Sequence, residues 1–503
     1  METELKLSIA QPDLSRIRQH PLLLDHARAV PTEHRLTDTY YDTPKLELWR
    51  NGVSLRVREE GHTWIQKVKT ASASSATLHE RDEWESSLPS GQPQPVEIAR
   101  QIKSEKIARL LRAASVSKAL RPVFKNATRR TIWNLELPDG QLVECALDTG
   151  KIDCKGQTVA IGELELELKK GNPTQLFELA LALHEDIPLQ IANDSKAARG
   201  YALLEKQAPE PVKAIPVRLM RKMTLEDAFQ CIGLNCLQQM EANVPGVLMQ
   251  SVESLHQMRV GLRRLRALLD MFSELAPLPS QVREGVDWLA GELGATRDWD
   301  VLADSTLGSI TNFDSGELRE LAEAKARDLH QALLVSLRDP RYTQVVLQLN
   351  GWLRGRHWRR VTNFAENSPL ASRASDAMTP LLHKAQRRLR KRIDTLDQAD
   401  AAGRHRIRIA AKKARYAVEF FSSLLPRGQV KQYVSSLSGL QDQLGTLNDM
   451  EVASRLLSEL EGSGASRAAP FALGYLNAAA EASIPHLTKS LRVARRLKTP
   501  IDK

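Results

Sequence analysis

Two sets of charged residues recur at spacings suited to handling a phosphorylated compound. In the first, like charges stand two residues apart inside alternating segments: Glu2, Glu4 and Lys6; Arg56 and Arg58; Lys67 and Lys69; Arg81, Glu83 and Glu85; and Glu163, Glu165, Glu167 and Lys169. A period of two puts each group on one face of a strand, with residues such as Leu5, Leu7 and Ile9, or Val53, Leu55 and Val57, on the other. Like charges that close repel unless a counter-charge or ligand lies between them. Strand after strand of them predicts a shared charged interior, where acids hold a divalent cation and bases hold phosphate oxygens. Neither a P-loop GxxxxGK[ST] nor a nucleophilic Cys or Ser motif is present. Attack of an oriented water on a phosphoanhydride is the chemistry this inventory suits.

The second set lies on helices. RHRIRIAAKKARYAV from Arg404 carries a basic residue at every basic position of LHQMRVGLRRLRALL from Leu255. His256 is followed at +3, +7, +8 and +10 by Arg259, Arg263, Arg264 and Arg266, and His405 by Arg408, Lys412, Lys413 and Arg415. Positions 0, +3, +7 and +10 fall within an arc of about 80° and form a ridge about 15 Å long. Four stacked cations destabilise a helix unless an anion meets them. Downstream, LGATRDWDV from Leu293 matches LGTLNDMEV from Leu444, pairing Asp298 with Asp449, Asp300 with Glu451 and Arg297 with Asn448. Histidine and aspartate are 42 residues apart in one copy and 44 in the other. The duplication predicts two pseudo-symmetric helical bundles. Zinc would call for a close ligand pair of the HxxxH kind, which is missing.

The elements that must carry these residues divide the chain in two. At 503 residues it exceeds one ordinary core, and 42% hydrophobic residues with a mean hydropathy of −0.35 describe a globular protein. Of the 71 basic and 61 acidic residues, 28 and 28 fall in 1–204, so the whole excess of +10 belongs to 205–503. Short alternating segments precede a proline-bearing linker at 205–217, and long 3.6-period stretches follow it. The expectation is α+β: a strand-rich domain over 1–204 and an all-α domain over 218–495, with repeats at about 218–345 and 370–495. Cysteines 145, 154, 231 and 236 form no metal or redox spacing. No apolar run is long enough for a membrane helix, and the charged start METELKLSIAQ lacks a signal-peptide pattern, which together predict a cytoplasmic protein.

Over about 1–204 the ordered set of ExExK, TYYDTP, LRVR, KVK, ERDEWE, the Arg130 strand, ALDTG, ELELELK and NDSKAARGY resembles the CYTH family, the triphosphate tunnel metalloenzymes. The resemblance implies an eight-stranded antiparallel β-barrel with flanking helices, a tunnel whose glutamates hold Mg²⁺ or Mn²⁺, and hydrolysis of inorganic triphosphate to pyrophosphate and phosphate. Carried over by motif, the metal-side acids are Glu2, Glu4, Asp148, Glu165 and Glu167, with Glu163 and Glu165 as the alternative pair. The substrate clamp is Lys6, Arg56, Arg58, Lys67, Lys69, Arg81, Arg130, Lys196 and Arg199, with Arg129 as the alternative to Arg130. Glu4, Arg58 and Lys196 take the catalytic roles. The family also contains class-IV adenylate cyclases and thiamine-triphosphatases, and Trp64 and Trp84 are available to stack on a base or thiazole ring.

Residues of about 218–495 resemble the CHAD domain, the conserved histidine α-helical domain, which implies a basic channel for inorganic polyphosphate. The ridge positions His256, Arg259, Arg263, Arg266, His405, Arg408, Lys412 and Arg415 carry over, with Asn448 in place of an arginine making the second copy less cationic. Association with polyphosphate granules would follow. Basic runs at Arg354–Arg360 and Lys384–Arg392 add to the field. Nucleic acid is the competing partner of a non-catalytic binding protein, but no recognition-helix motif is present and few aromatics interleave with the ridges.

Overall fold

A computed structural model describes residues 2–70, 77–192, 194–205, 209–310, 316–361, 368–396, 400–461 and 468–502, without the side chains of 2, 79–81 and 461. The chain forms two compact units, Met1–Pro209 with Thr343–Gly351, and Glu210–Tyr342 with Trp352–Lys503. Among the described residues, no helix is long and apolar enough to cross a membrane.

The first unit is built on antiparallel strands β1 (Glu2–Ile9), β2 (Thr32–Asp42), β3 (Val53–Glu60), β4 (Thr63–Thr70), β5 (Leu78–Arg81), β6 (Glu83–Leu88), β7 (Arg121–Leu137), β8 (Gln141–Cys154), β9 (Gln157–Lys170) and β10 (Leu189–Ile191). Their hydrogen-bonded order is β10-β1-β9-β8-β7-β2-β3-β4-β6, with β5 paired to β1. The expected eight-stranded closed barrel is therefore corrected. Among the described residues there are ten strand segments, and the ladder is not an unbroken ring. The segment 78–88 changes partner at Asp82, with β6 on β4 and β5 on β1, so it reaches from one edge of the sheet to β1, next to the strand at the other edge.

This sheet is built inside out. The apolar residues Leu5 and Leu7 of β1, Cys145 and Leu147 of β8, and Leu164 and Leu166 of β9 form the core with helix α1 (Thr174–Asp186), which buries Leu176, Phe177, Ala180 and Leu183 against them. A second core joins Val53, Leu55, Val57 and Val68 of β3 and β4 to Ile98, Ala108 and Leu111. Each of the buried Leu, Val, Ile and Phe side chains stabilises the fold by about 1.5–3 kcal/mol. That leaves the opposite, charged face of every strand for the site.

Helix α2 (Lys196–Leu204) closes on this sheet through Gly200, where a Cβ would stand 2.2–2.5 Å from the Phe124 ring. Ser195 caps the helix by accepting from the Ala198 amide, and Tyr201 stacks on Trp49 with its hydroxyl donating to Asp42. The same Asp42 accepts from the amides of Thr43, Leu48 and Trp49, which pins the turn after β2 beneath α2.

The second unit is helical: α3 (Leu225–Glu241), α4 (Val252–Met271), α5 (Ser280–Val301), α6 (Gly316–Arg338), the two ends of α7 (Pro340–Arg354), whose stretch Thr343–Gly351 belongs to the first unit, α8 (Ala374–Asp394), α9 (Ala401–Phe420), α10 (Arg427–Glu461) and α11 (Ala468–Arg496). In α4 the buried residues Leu255, Met258, Leu262 and Leu265 stand one residue before each position of the His256 ridge, which turns the ridge about 100° away from the core. In α9 Ile407, Ala411 and Ala414 precede Arg408, Lys412 and Arg415 in the same way. One difference separates the copies: α5 ends at Val301 in a π turn over Leu302–Thr306, while its counterpart α10 runs on to Glu461.

Candidate active site and basic cleft

Strand register decides which charges meet. Lys6 lies opposite Glu165 and Ser8 opposite Glu163 across β1 and β9, Asp148 lies opposite Glu163 across β8 and β9, and Arg130 lies opposite Asp148 across β7 and β8. The carboxylates of Asp148, Glu163 and Glu165 come within 4.8 Å of one another, all buried. Around them, Lys196 Nζ stands 2.8 Å from Asp148 and 2.9 Å from Glu165 and also pairs with Glu163. Lys6 Nζ is 2.8 Å from Glu165 and 3.1 Å from Glu4. Arg130 grips Asp148 with two bonds of 2.7 and 2.6 Å and reaches Glu165 at 2.5 Å. Burial alone would raise the Glu165 carboxyl, but Lys196, Lys6 and Arg130 hold it well below the usual range. Lys196 is raised for the converse reason: burial opposes its charge, and Asp148, Glu165 and Glu163 outweigh burial.

Next to this cluster is a basic one. Asp38 of β2, 2% exposed, accepts from Arg56 Nη1 at 2.8 Å and from Arg58 Nε and Nη2 at 2.8 and 3.0 Å. Burial raises the Asp38 carboxyl, and the two arginines overcome it, bringing it down to about 2. On β4, Lys67 pairs with Glu83 at 2.8 Å and Glu85 at 2.6 Å, and Lys69 pairs with Glu83 at 2.5 Å. The side chain of Asn126, fully buried on β7 opposite Asp38, makes no hydrogen bond among the described residues, nor do Thr128 Oγ1 and Arg56 Nε. Buried polar atoms of this kind ordinarily have partners, and their grouping beside the cations marks a place for a polar ligand.

Of the residues expected from the sequence, Glu4, Lys6, Arg56, Arg58, Lys67, Lys69, Arg130, Asp148, Glu165 and Lys196 are brought to this charged face. Arg199 reaches it through an ion pair with Glu163. Arg129 does not, since it points outward to Glu33. Glu167 lies opposite Glu4 and pairs with Lys169 at 2.7 Å, while Glu163, the alternative left open by the sequence, joins Asp148 and Glu165 in the acidic cluster. Glu2 and Arg81 face each other across β1 and β5, but their side chains lie outside the described residues. Trp64 and Trp84 pack against the outer core beneath β3 and β4, on the side of the sheet away from the charges, so neither is placed to stack on a ligand there.

In the helical unit, the two ridges face each other. Arg259, Arg263 and Arg297 line one cleft of about 270 Å³ together with His256, His405 and Arg408. Arg259, Arg263 and Arg408 also line an adjoining cleft of about 510 Å³ with Arg266, Lys412 and Lys413. Residues of both ridges thus line the same basic channel, since Arg259, Arg263 and Arg408 belong to both clefts. Arg263 Nε donates to Tyr416 of α9 at 3.0 Å, tying the ridges together. Asp298, one of the matched acids, pairs with Arg259 at 3.3 Å, and Asp287, outside the matched segments, pairs with Arg266 at 2.9 Å. Arg415 turns to Ser438 of α10 and Glu419, and Arg264, 7% exposed, turns to Gln239 and Asn235 of α3. Asn448 Oδ1 accepts from His405 Nδ1 at 2.9 Å, whereas His256 faces Arg297. Burial and that arginine lower the His256 imidazole. Burial, Arg263, Arg408 and Arg259 push Lys412 down to about 6.

Comparison with known proteins matches residues 1–201 to the CYTH domain and residues 231–458 to the CHAD domain. The chain is a CYTH domain followed by a CHAD domain. A solved CHAD domain from the plant Ricinus communis is 35% identical, covering 58% of this chain and 98% of its own, with a TM-score of 0.53. PptA from Streptomyces chartreusis is 17% identical over 54% of this chain and 99% of its own, with a TM-score of 0.41. A protein of Haemophilus influenzae named inorganic triphosphatase is 30% identical over 210 residues, 41% of this chain. The match spans 56% of that curated relative's length.

Three residues of the CYTH domain site escaped sequence reasoning. Asp38 stands alone between threonines, and only the β2–β3 pairing sets it against Arg58. Asn126 and Thr128 share its face at the alternation TRR-preceding stretch KNAT, a period-two signal too short and too neutral to be read. In the CHAD domain, Tyr416 was legible only as a core aromatic of the second ridge.

Proposed function

We propose that the CYTH domain hydrolyses inorganic triphosphate in a divalent-cation-dependent reaction and that the CHAD domain binds inorganic polyphosphate. The observation that carries the first part is the buried Asp148, Glu163 and Glu165 cluster on the same sheet face as Lys6, Arg56, Arg58, Lys67, Arg130 and Lys196. Three carboxylates are hard oxygen donors, which suits Mg²⁺ or Mn²⁺. Bound there, such an ion would neutralise phosphate oxygens.

The residues of the chain do the rest. Arg56 and Arg58, fixed by Asp38, and Lys67 and Lys69, fixed by Glu83, present guanidinium and ammonium donors to the phosphate chain. Arg130 and Lys6 join the acidic cluster to that clamp, and Lys196 donates at its other side. Glu4, on β1 and paired with Lys6 at 3.1 Å, lies outside the three-carboxylate cluster and orients the attacking water. Trp64 and Trp84 in the outer core favour a substrate without a ring to stack. The opposed ridges support a linear polyanion in the CHAD channel, tethering the enzyme to polyphosphate and raising local substrate concentration.

Phosphate release is measured from tripolyphosphate, ATP and thiamine triphosphate with Mg²⁺ or Mn²⁺, with and without EDTA. Tripolyphosphate is the expected substrate, with activity lost in EDTA and in Glu165→Gln and Arg58→Ala. Cyclic AMP from ATP, or no turnover of any triphosphate, refutes the first part. Polyphosphate affinity unchanged in Arg259→Ala/Arg263→Ala/Arg408→Ala refutes the second.

A further inference from the structure

The CHAD channel does not end at its two ridges. A third cleft, of about 600 Å³, opens on the far side of Ala267, Asp270, Ile409 and Lys413, four residues that line both it and the 510 Å³ cleft. Its cations are Lys384, Arg388, Lys391 and Arg392 of α8, with Arg406 and Lys413 of α9. On α8 they recur at i, i+4, i+7 and i+8, one stripe of the helix. Its floor is apolar, with Met271, Leu381 and Ile409. The acids in reach are few and already engaged: Asp270 with Lys413 at 2.5 Å, Glu274 with Lys384 at 2.7 Å and Asp400 with Arg406 at 2.9 Å. Arg388, Lys391 and Arg392, all exposed, have no ion pair with a described carboxylate. A stripe of four cations with one paired carboxylate, Glu274, is unfavourable for the free helix. A contiguous basic groove also concentrates field on whatever anion occupies it.

We propose that the α8 groove is a second polyanion site continuous with the ridge channel, so that a long polyphosphate chain leaves the ridges past Lys413 and runs along Lys384, Arg388, Lys391 and Arg392. This rests on polyphosphate binding by the ridges and extends it: the groove makes affinity depend on chain length. The groove contains no aromatic side chain on which nucleic-acid bases could stack, which favours inorganic polyphosphate over single-stranded RNA. The ion pair between Lys413 and Asp270 stands at the junction. A chain crossing it takes Lys413 from Asp270, and the carboxylate makes this the least favourable step of the path.

The test uses the full chain in EDTA, so that nothing is hydrolysed, and polyphosphates of about ten and about a hundred phosphates at several salt concentrations. Arg388→Ala/Lys391→Ala/Arg392→Ala alters only exposed side chains. It is expected to weaken long-chain binding about tenfold or more, lower the salt slope by about two, at roughly 0.7 per lost phosphate contact, and leave short-chain binding within twofold. Asp270→Asn is expected to strengthen long-chain binding selectively. Arg259→Ala/Arg263→Ala/Arg408→Ala is expected to weaken both lengths; if it weakens neither, ridge binding itself fails, whatever the groove does. Long-chain affinity unchanged in the α8 variant, or an equal loss for both lengths, overturns the groove. Single-stranded RNA bound as tightly as long polyphosphate and lost equally in the α8 variant overturns the choice of ligand.

Discussion

Asp38→Asn separates the two demands on the arginine clamp, stability of the free protein and attraction for an anion. In the wild type, one carboxylate serves Arg56 and Arg58 through three bonds of 2.8–3.0 Å, and both guanidiniums are largely buried. Lowering a carboxyl from 3.8 to about 2 corresponds to a favourable interaction of about 2–3 kcal/mol. Removing the charge also strands two buried cations, and breaking a buried pair costs about 3–5 kcal/mol. At about 2–4 °C per kcal/mol for a unit of this size, the first-unit transition is expected to fall by about 5–10 °C or more. Tripolyphosphate in EDTA supplies the missing negative charge, so its stabilisation, about 2.7 kcal/mol at a hundredfold excess over Kd, is expected to be larger in the variant than in the wild type. Differential scanning calorimetry with and without the ligand reads both effects. A second signature is pH. Because the folded Asp38 titrates below its unfolded value, its contribution is fully present above about pH 4 and disappears as pH falls through about 2, and the variant lacks that part of the acid limb. An unchanged transition, or equal ligand stabilisation in both proteins, would refute the clamp.

Glu165→Gln is expected to lose activity about 100-fold or more and to abolish thermal stabilisation by Mn²⁺, while Glu167→Gln, outside the acidic cluster, changes both less than tenfold; the reverse ranking refutes the assignment of the cluster. Gly200→Ala forces a methyl against the Phe124 ring and is expected to cost about 1–3 kcal/mol and to reduce activity by shifting Lys196, read by unfolding and turnover; a silent variant refutes the close approach. With Lys412 at about 6, the free CHAD channel holds it mostly neutral at pH 7.5, and a polyanion restores its proton. Polyphosphate binding is therefore expected to take up a proton between about pH 6 and 10 and to weaken as pH rises, shown by calorimetry in buffers of different ionisation enthalpy; uptake that persists in Lys412→Arg refutes this origin.

Much of the site could be read from alternation alone. Period two places Glu4 with Lys6, Arg56 with Arg58 and Lys67 with Lys69, because the strand forces residues i and i+2 onto one face. Helical periodicity and the duplication likewise fixed the ridge residues and their matched acids before any packing was known. Both are properties of the chain's own geometry.

What periodicity leaves open is depth along a strand and the identity of the neighbour across it. Glu163, Glu165 and Glu167 are equivalent by alternation, and only the register that puts Asp148 opposite Glu163 and Lys6 opposite Glu165 draws the first two into the cluster. Arg129 and Arg130 differ by one residue, and the pairing of β7 with β2 and β8 sends one to Glu33 at the surface and the other to Asp148. Asp38 acquires meaning only from the arginines across from it. The two ridges, 149 residues apart from His256 to His405, became one channel because α4 and α9 pack face to face through Arg263 and Tyr416. Local geometry sets which face a residue takes, whereas only long-range pairing sets what it meets there.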